Sequence, residues 1–251
     1  YRSIQPESEQ AYHLYAIVDG VLDQNLLFDA QQKNVPWRVL YPDSMLESNN
    51  PATAPFLLAL TPDKVEQASL MQTLLQRGRD VDLVLWVASR QPLPVLAAHL
   101  HSYAEVVLPD RTAALLRHYD PSILEVLVRM FTLEQREHFL SPIFEYRYWR
   151  EGWQTVAGTD NEKVRPPLEQ YITLDGEQYA LLSNESFAEM LYHQIREELL
   201  PPMSQVDGRV CIQLIRQLLA RAVDRYQIKN QNDLAYFSLV GLNVNPKFDE
   251  H

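Results

Sequence analysis

Residues 81–88 are apolar at every position but Asp82, and that run constrains the fold more than any other stretch of the chain. A strand with one wet face alternates apolar and polar residues, whereas a near-continuous apolar strand has to be covered on both faces. Residues 81–88 are therefore predicted to form a buried central strand, and the first 110 residues supply its neighbours and covers. Residues 12–19 read as a strand stopped by Asp19-Gly20, 25–30 as a helix, 37–41 as a second strand ended by Pro42, and 55–60 as a third. Thr61-Pro62 offers an N-cap oxygen and a proline at the first helical position for a helix that runs to Arg77 and stops at Gly78. Residues 94–103 read as helix and 104–108 as a short strand. Short apolar runs alternating with helical patterns mark a mixed α and β domain.

From Thr112 onward the apolar period lengthens. Asp120-Pro121 repeats the cap-plus-proline signal, and Ile123, Leu124, Leu127, Val128 and Phe131 follow at helical spacing. Thr132 and Gln135 have capping-box spacing, so a second helix is predicted to begin almost where the first ends. Residues 141–182 mix aromatic, proline, glycine and charged residues, with strands expected at 146–149 and 171–174, an irregular loop over 158–165 and the Pro166-Pro167 pair. Ser183 is placed to cap a helix to about residue 200, ended by Pro201-Pro202. Residues 209–226 form another, with Cys211, Leu214, Ile215, Leu218, Leu219, Ala222 and Tyr226 on one side. A last helix covers 232–242, before a polar tail. The expected fold is an α+β (α/β) N-terminal lobe, a mixed sheet with flanking helices over 10–145, then a connecting segment over 146–182 and a small all-α lobe over 183–245.

The charge balance bears on partners. There are 13 basic against 18 acidic residues in the first 150 and 9 against 15 in the remainder, for a net charge of −11. Neither half holds a basic module of the kind that neutralises phosphates, so no nucleic-acid partner is expected. Seven glycines against 16 prolines leave no glycine-rich phosphate cradle, and no GxGxxG or Walker-type run occurs. No cofactor is expected. No apolar run approaches the roughly 20 residues that cross a bilayer, and the start, Tyr1 to Pro6, lacks a signal-peptide core. No membrane partner is expected. The missing initiator Met leaves room for an upstream segment. The lone Cys211 has no internal disulfide partner, which fits a reducing cytoplasm.

The residues that carry chemistry are sparse. His99 and His101 are two apart, which on a helix turns their rings about 200° from each other and argues against a shared metal. Glu134 and His138 can share a helical face with Glu137 nearby, but without an HExxH arrangement they read as a solvated face. Cys211 points to the apolar side of its helix, as a structural thiol does. No GxSxG elbow is present, and enzymatic activity is not expected. Arg117 stands three residues before Asp120; the pair reads either as a cap with its ion-pair partner or as a recognition point, and the structural reading is favoured.

The stretch Leu116-Arg117-His118-Tyr119-Asp120-Pro121-Ser122-Ile123-Leu124, followed by Gln135 and by Ser141-Pro142-Ile143, resembles the type VI secretion system effector adaptors, or Tap-type effector chaperones. Their shared domain carries an Arg-x-Tyr/Phe-Asp-Pro-x-x-Leu turn, a Gln-containing helix and a Gly/Ser-Pro-Ile end. Residues 15–20, 55–60 and 99–101 agree in order, so the resemblance spans about residues 12–145; Ser141 stands where glycine is common. The C-terminal match, through 222–228 and 233–236, is looser.

The resemblance implies a cytoplasmic protein of a Gram-negative bacterium. Such a protein binds a toxic effector, by its N-terminal or PAAR-type segment, and loads it onto the valine-glycine-repeat spike. Arg117, Asp120 and Pro121 then belong to the family motif in a structural role. For the effector, Tyr146, Tyr148, Trp149 and Trp153 are the candidate lining of a cleft between the lobes, as against simple packing of the lobes on each other. Both lobes are acidic, which favours a basic or neutral effector segment. Two other classes remain on the residues alone: a hydrolase-type enzyme using a histidine and an acid, and a small-molecule-binding regulatory protein.

Overall fold

The computed structural model describes residues 11–41, 50–80, 84–150, 152–161, 164–165 and 172–249. Expectations that fall on the chain start, Pro42, residues 81–83, Pro166-Pro167 and Tyr171 lie outside the described residues. The chain divides into two compact units, Tyr1–Tyr179 and Ala180–His251. The first is α+β and the second helical, as the sequence predicts.

The elements of the first unit run β1 (His13–Asp19), α1 (Asn25–Gln32), β2 (Trp37–Val39), β3 (Pro55–Leu60), α2 (Val65–Asp80), β4 (Val84–Ser89), α3 (Leu93–His101), β5 (Glu105–Val107), β6 (Ala113–Leu115), α4 (Pro121–Met130), α5 (Leu133–Phe139), β7 (Glu145–Trp149), β8 (Trp153–Ala157) and β9 (Ile172–Thr173). Six strands form the main sheet in the order β2-β3-β1-β4-β7-β8, with every neighbouring pair antiparallel. A smaller sheet, β6-β5-β9, contains the parallel pair, β5 with β9. The residues between 146 and 182, read above as a connector, contribute β8 and most of β7 to the main sheet and β9 to the small one.

β4 is central and buried at all six positions, which is what its composition requires. Val84 and Trp86 pack with Ala16, Val18, Phe56 and Leu58 against Leu26, Leu27 and Ala30 of α1 and Leu70 and Leu74 of α2. By strand parity Tyr15, Ile17, Leu57, Leu85 and Val87 lie on the opposite face, and they too are buried.

The helix starts show where local sequence is decisive and where it is not. Asp120 caps α4 through Oδ1, which accepts from the Ser122 N–H at 2.9 Å and the Ser122 hydroxyl at 2.7 Å, with Pro121 at the first helical position. Thr132 and Gln135 form the full capping box that opens α5. The Thr61-Pro62 expectation is corrected: Thr61 to Lys64 closes a turn, the buried Gln67 side chain accepts from the Thr61 N–H at 2.8 Å, and α2 begins only at Val65. Gly78 lies inside α2 rather than ending it, and a Cβ there would meet Val84 at an ordinary contact distance of 3.4 Å. α6 (Gly176–Ile195) starts seven residues before Ser183, because Asp175 and Gln178 exchange backbone-to-side-chain bonds of 2.8 and 3.1 Å.

In the second unit α6, α7 (Gly208–Tyr226) and α8 (Gln231–Asn243) share a core of Ala188, Leu191, Ile195, Cys211, Ile215, Leu218 and Leu242. Cys211 is buried on the apolar side of α7, as its spacing predicts.

Candidate functional site

Three groups of residues bear on function, and all lie in the first unit. The first is the motif turn. Arg117 reaches two buried carboxylates, Asp120 at 3.1 Å and Asp19 at 3.4 Å, while its own side chain stays 47% exposed. Asp19 ends β1 and also accepts from the Val21 N–H; burial is the main cause that raises its pKa, and Arg117 offsets part of it. Tyr119 is buried beside the motif, its hydroxyl 2.7 Å from that of Tyr41. The turn thus ties the start of α4 to the end of β1, with Pro121 fixing the first helical φ. This is the structural role expected for Arg117, Asp120 and Pro121.

The other motif positions are also joints. Gln135, besides its cap, accepts from Gln178 Nε2 at 2.8 Å, and the same amide donates to the Met130 carbonyl at 3.0 Å. Ser141 is fully buried, and its hydroxyl accepts from the Arg165 N–H at 3.1 Å. A glycine at 141 has no such oxygen to offer.

A second group is an aromatic cluster with buried polar atoms. His99 and His118 are buried with Tyr103, Phe139 and Tyr146, through ring contacts of 5.0 Å (His99 with Tyr103 and Tyr103 with Phe139), 6.2 Å (His118 with Phe139) and 6.3 Å (Phe139 with Tyr146). His99 Nε2 lies 2.9 Å from the Phe139 carbonyl. Neither ring nitrogen of His118 has a well-formed hydrogen bond, and the Tyr103 and Tyr146 hydroxyls have none. Burial pushes His99 down to about 4 and His118 down to about 3, so both are neutral near pH 7. His101 stands apart and half-buried on α3. Among the described residues no group of three His, Cys, Asp or Glu is arranged to hold a metal ion.

The third group is the β7–β8 hairpin, which carries all four aromatic candidates but presents them differently. Tyr146 and Tyr148 are buried within the first unit, so neither offers contact surface as it stands. Trp149 and Trp153 face each other at the hairpin tip, ring centroids 5.6 Å apart and perpendicular. Trp149 is half-buried under the Arg79 guanidinium, 4.9 Å from its ring, a cation–π contact. Trp153 is 46% exposed.

Two features that the sequence reading missed complete this site. Glu125 of α4 anchors the hairpin, accepting from the Tyr148 hydroxyl and from Arg150, each at 2.7 Å. Alongside β8 lies a groove of about 450 Å³, lined by Thr155, Val156 and Ala157 on one side and by Leu133 and Arg136 of α5 and Leu140 at its C-cap on the other. Glu137, also in its wall, is paired to Arg165 at 3.1 Å. No local pattern announces these: Glu125 lies more than 20 residues from its partners, and β8 has no apolar alternation. The one available signal is the Trp149/Trp153 pair enclosing a three-residue stretch that contains Gly152, which suits a hairpin.

Fold and site together define a mostly antiparallel α+β unit, in which no described residue pairs with the outer edge of β8, followed by a helical unit. Residues 14–138 match the family described as Domain of unknown function (DUF4123). That span takes in β1 through α5, with the Arg117-to-Asp120 turn and the Gln135 cap, and stops short of the β7–β8 hairpin. No curated protein and no solved structure matches the chain. Among the described residues no helix is long and apolar enough to cross a membrane.

Proposed function

We propose that this protein is an adaptor that binds a toxic effector in the bacterial cytoplasm and loads it onto the type VI secretion spike. The motif resemblance motivates the reading, and the observation that carries it is the hairpin edge. Trp153 is a large aromatic residue left 46% exposed, at the start of the strand whose residues Thr155 to Ala157 wall a groove. Aromatic anchors next to concave surface are where binding energy concentrates in protein interfaces. Trp153 and Trp149 are the retained contact residues from the aromatic set, Trp153 by direct contact and Trp149 by holding the tip in shape. Tyr146 and Tyr148 support the hairpin from inside.

The test is affinity capture of the full chain from its native cell, with identification of what co-purifies. A toxin and a valine-glycine-repeat spike protein are expected with the wild type, and the toxin is expected to fall at least tenfold with Trp153→Ala. Capture of neither protein would overturn the adaptor reading. Undiminished toxin capture by Trp153→Ala would move the contact away from the hairpin.

A further inference from the structure

β8 is the last strand of the main sheet, and no described residue pairs with its outer side. The phase of its ladder is fixed at both ends. The Gly158 N–H donates to the Phe144 carbonyl and the Arg150 N–H to the Gly152 carbonyl, so the pairs bonded across the hairpin are those in step with 144/158 and 150/152. Register then puts Trp153, Thr155 and Ala157 at the non-bonded positions, where the N–H and C=O groups of β8 turn outward. The edge offers a peptide backbone three residues' worth of donors and acceptors.

Sheet edges in soluble proteins are ordinarily blunted by shortness, proline, charge or a cover, since an open edge pairs with any extended chain. The opposite edge of this sheet follows the rule: β2 has three residues and an exposed arginine, Arg38, in the middle. β8 does not. Its sequence, Trp-Gln-Thr-Val-Ala, has neither charge nor proline, and four of its five residues are exposed. Beside it runs the groove, whose far wall is the α5 stripe Leu133, Arg136, Glu137 and Leu140 at spacings of three and four, one helical face. Glu137 already pairs with Arg165, while Arg136 is exposed and makes no ion pair with a described carboxylate. The groove wall thus offers one arginine among the described residues that an incoming carboxylate can meet.

We infer that β8 is a strand-addition site for an extended segment of the effector. That segment pairs with Trp153–Ala157 and lays an acidic side chain in the groove against Arg136. The inference rests on the adaptor reading for the identity of the partner and not for the chemistry of the site. It also revises the expectation drawn from net charge: a segment that is neutral or basic elsewhere carries an acid at this one position. Five residues of β8 span about 17 Å, enough to fix the register of a short strand.

The test uses the full chain and fluorescent eight-residue peptides of alternating Thr and Val with Glu, Gln or Lys at one central position. Anisotropy is expected to rank Glu above Gln above Lys, with at least tenfold between the extremes. Arg136→Ala should collapse that ranking to within about twofold. Thr155→Pro removes an outward N–H and no bond to β7, so it leaves the hairpin folded and should abolish binding. Methylation of alternate backbone nitrogens of the Glu peptide does the same from the other side, with the wild-type protein. Binding that ignores methylation, equal affinity for Glu and Lys, no binding of any peptide, or occupation of the edge by a second copy of the chain (a wild-type dimer that Thr155→Pro dissociates) would each overturn the inference. If a toxin co-purifies while these peptide tests fail, strand addition falls and the adaptor reading stands. If the peptides behave as expected and no toxin is captured, the reverse holds.

Discussion

The Tyr148 hydroxyl donates to Glu125 at 2.7 Å across 23 residues of chain, and the other oxygen of that carboxylate receives Arg150 at 2.7 Å. One acid on α4 therefore holds Tyr148 and Arg150 of the hairpin whose outer strand, β8, ends the main sheet. Replacing Glu125 with Ala removes the carboxylate that accepts from the buried Tyr148 hydroxyl and from Arg150. The expected cost is about 2 kcal/mol, which lowers the thermal midpoint of the first unit by roughly 4–8 °C. Circular dichroism melts of wild type, Glu125→Ala and Tyr148→Phe check it; a midpoint unmoved by Glu125→Ala would show that the anchor contributes nothing.

Asp120 both caps α4 and pairs with Arg117, and the two roles separate by substitution. Asn keeps a cap acceptor and loses the charge, whereas Ala loses both. Because the Arg117 side chain is 47% exposed, the ion pair is screened and worth little. Asp120→Ala is expected to cost about 1–2 kcal/mol and Asp120→Asn less than half of that, measured by urea unfolding. Equal losses would give the larger role to the ion pair.

The buried histidines set an acid limit on stability. His99 and His118 titrate at about 4 and about 3 in the folded chain, below the ordinary value near 6.5. The unfolded chain therefore takes up their protons first. Their contribution is fully present above about pH 6.5 and is lost as pH falls toward the folded values, amounting to roughly 2 kcal/mol per histidine between pH 7 and pH 5. Denaturant unfolding at the two pH values should show about half as much histidine-linked loss in His118→Leu as in wild type. The same substitution should cost little at pH 7, since it replaces a buried polar ring that makes no well-formed hydrogen bond with an apolar group of similar size. An identical pH dependence in the variant would refute this.

Gly158 follows β8 at a point where a Cβ would overlap the Ile143 carbonyl oxygen. Gly158→Ala forces the strand end away from the turn after Ser141, and a loss of about 2–4 kcal/mol is expected. Hydrogen exchange localises the effect: amides of β7 and β8 should lose protection while those of β1 and β3 keep theirs. Uniform loss would indicate that the hairpin is not separable from the rest of the sheet.

Much of the fold is legible because it is local. β3 matches its predicted bounds, Asp120-Pro121 and Thr132/Gln135 open the helices they announce, and the apolar spacing around Cys211 places α7. The short strand β6 escaped notice because three residues, Ala113–Leu115, carry no period. β8 escaped for a physical reason tied to its interest: a strand wet on both faces and along one edge has no burial pattern to write into its sequence. The start of α6 was misplaced although a signal was there, since Asp175 stands three residues before Gln178 in capping-box spacing. Of the aromatic set, composition picked out the right hairpin but not which side chains face out, because parity along a strand is fixed only once its register is known. Glu125 was beyond reach, as a single acid on a predicted helix gives no sign of partners more than 20 residues away.

Cys211, the single cysteine, is buried in the second unit with its pKa raised by that burial. The folded chain thus presents no native thiolate at its surface, neither to cross-link with a partner nor to be capped by an oxidant. No thiol–disulfide change at the surface is therefore open to the folded chain, and its surface keeps one covalent state in reducing and oxidising media alike.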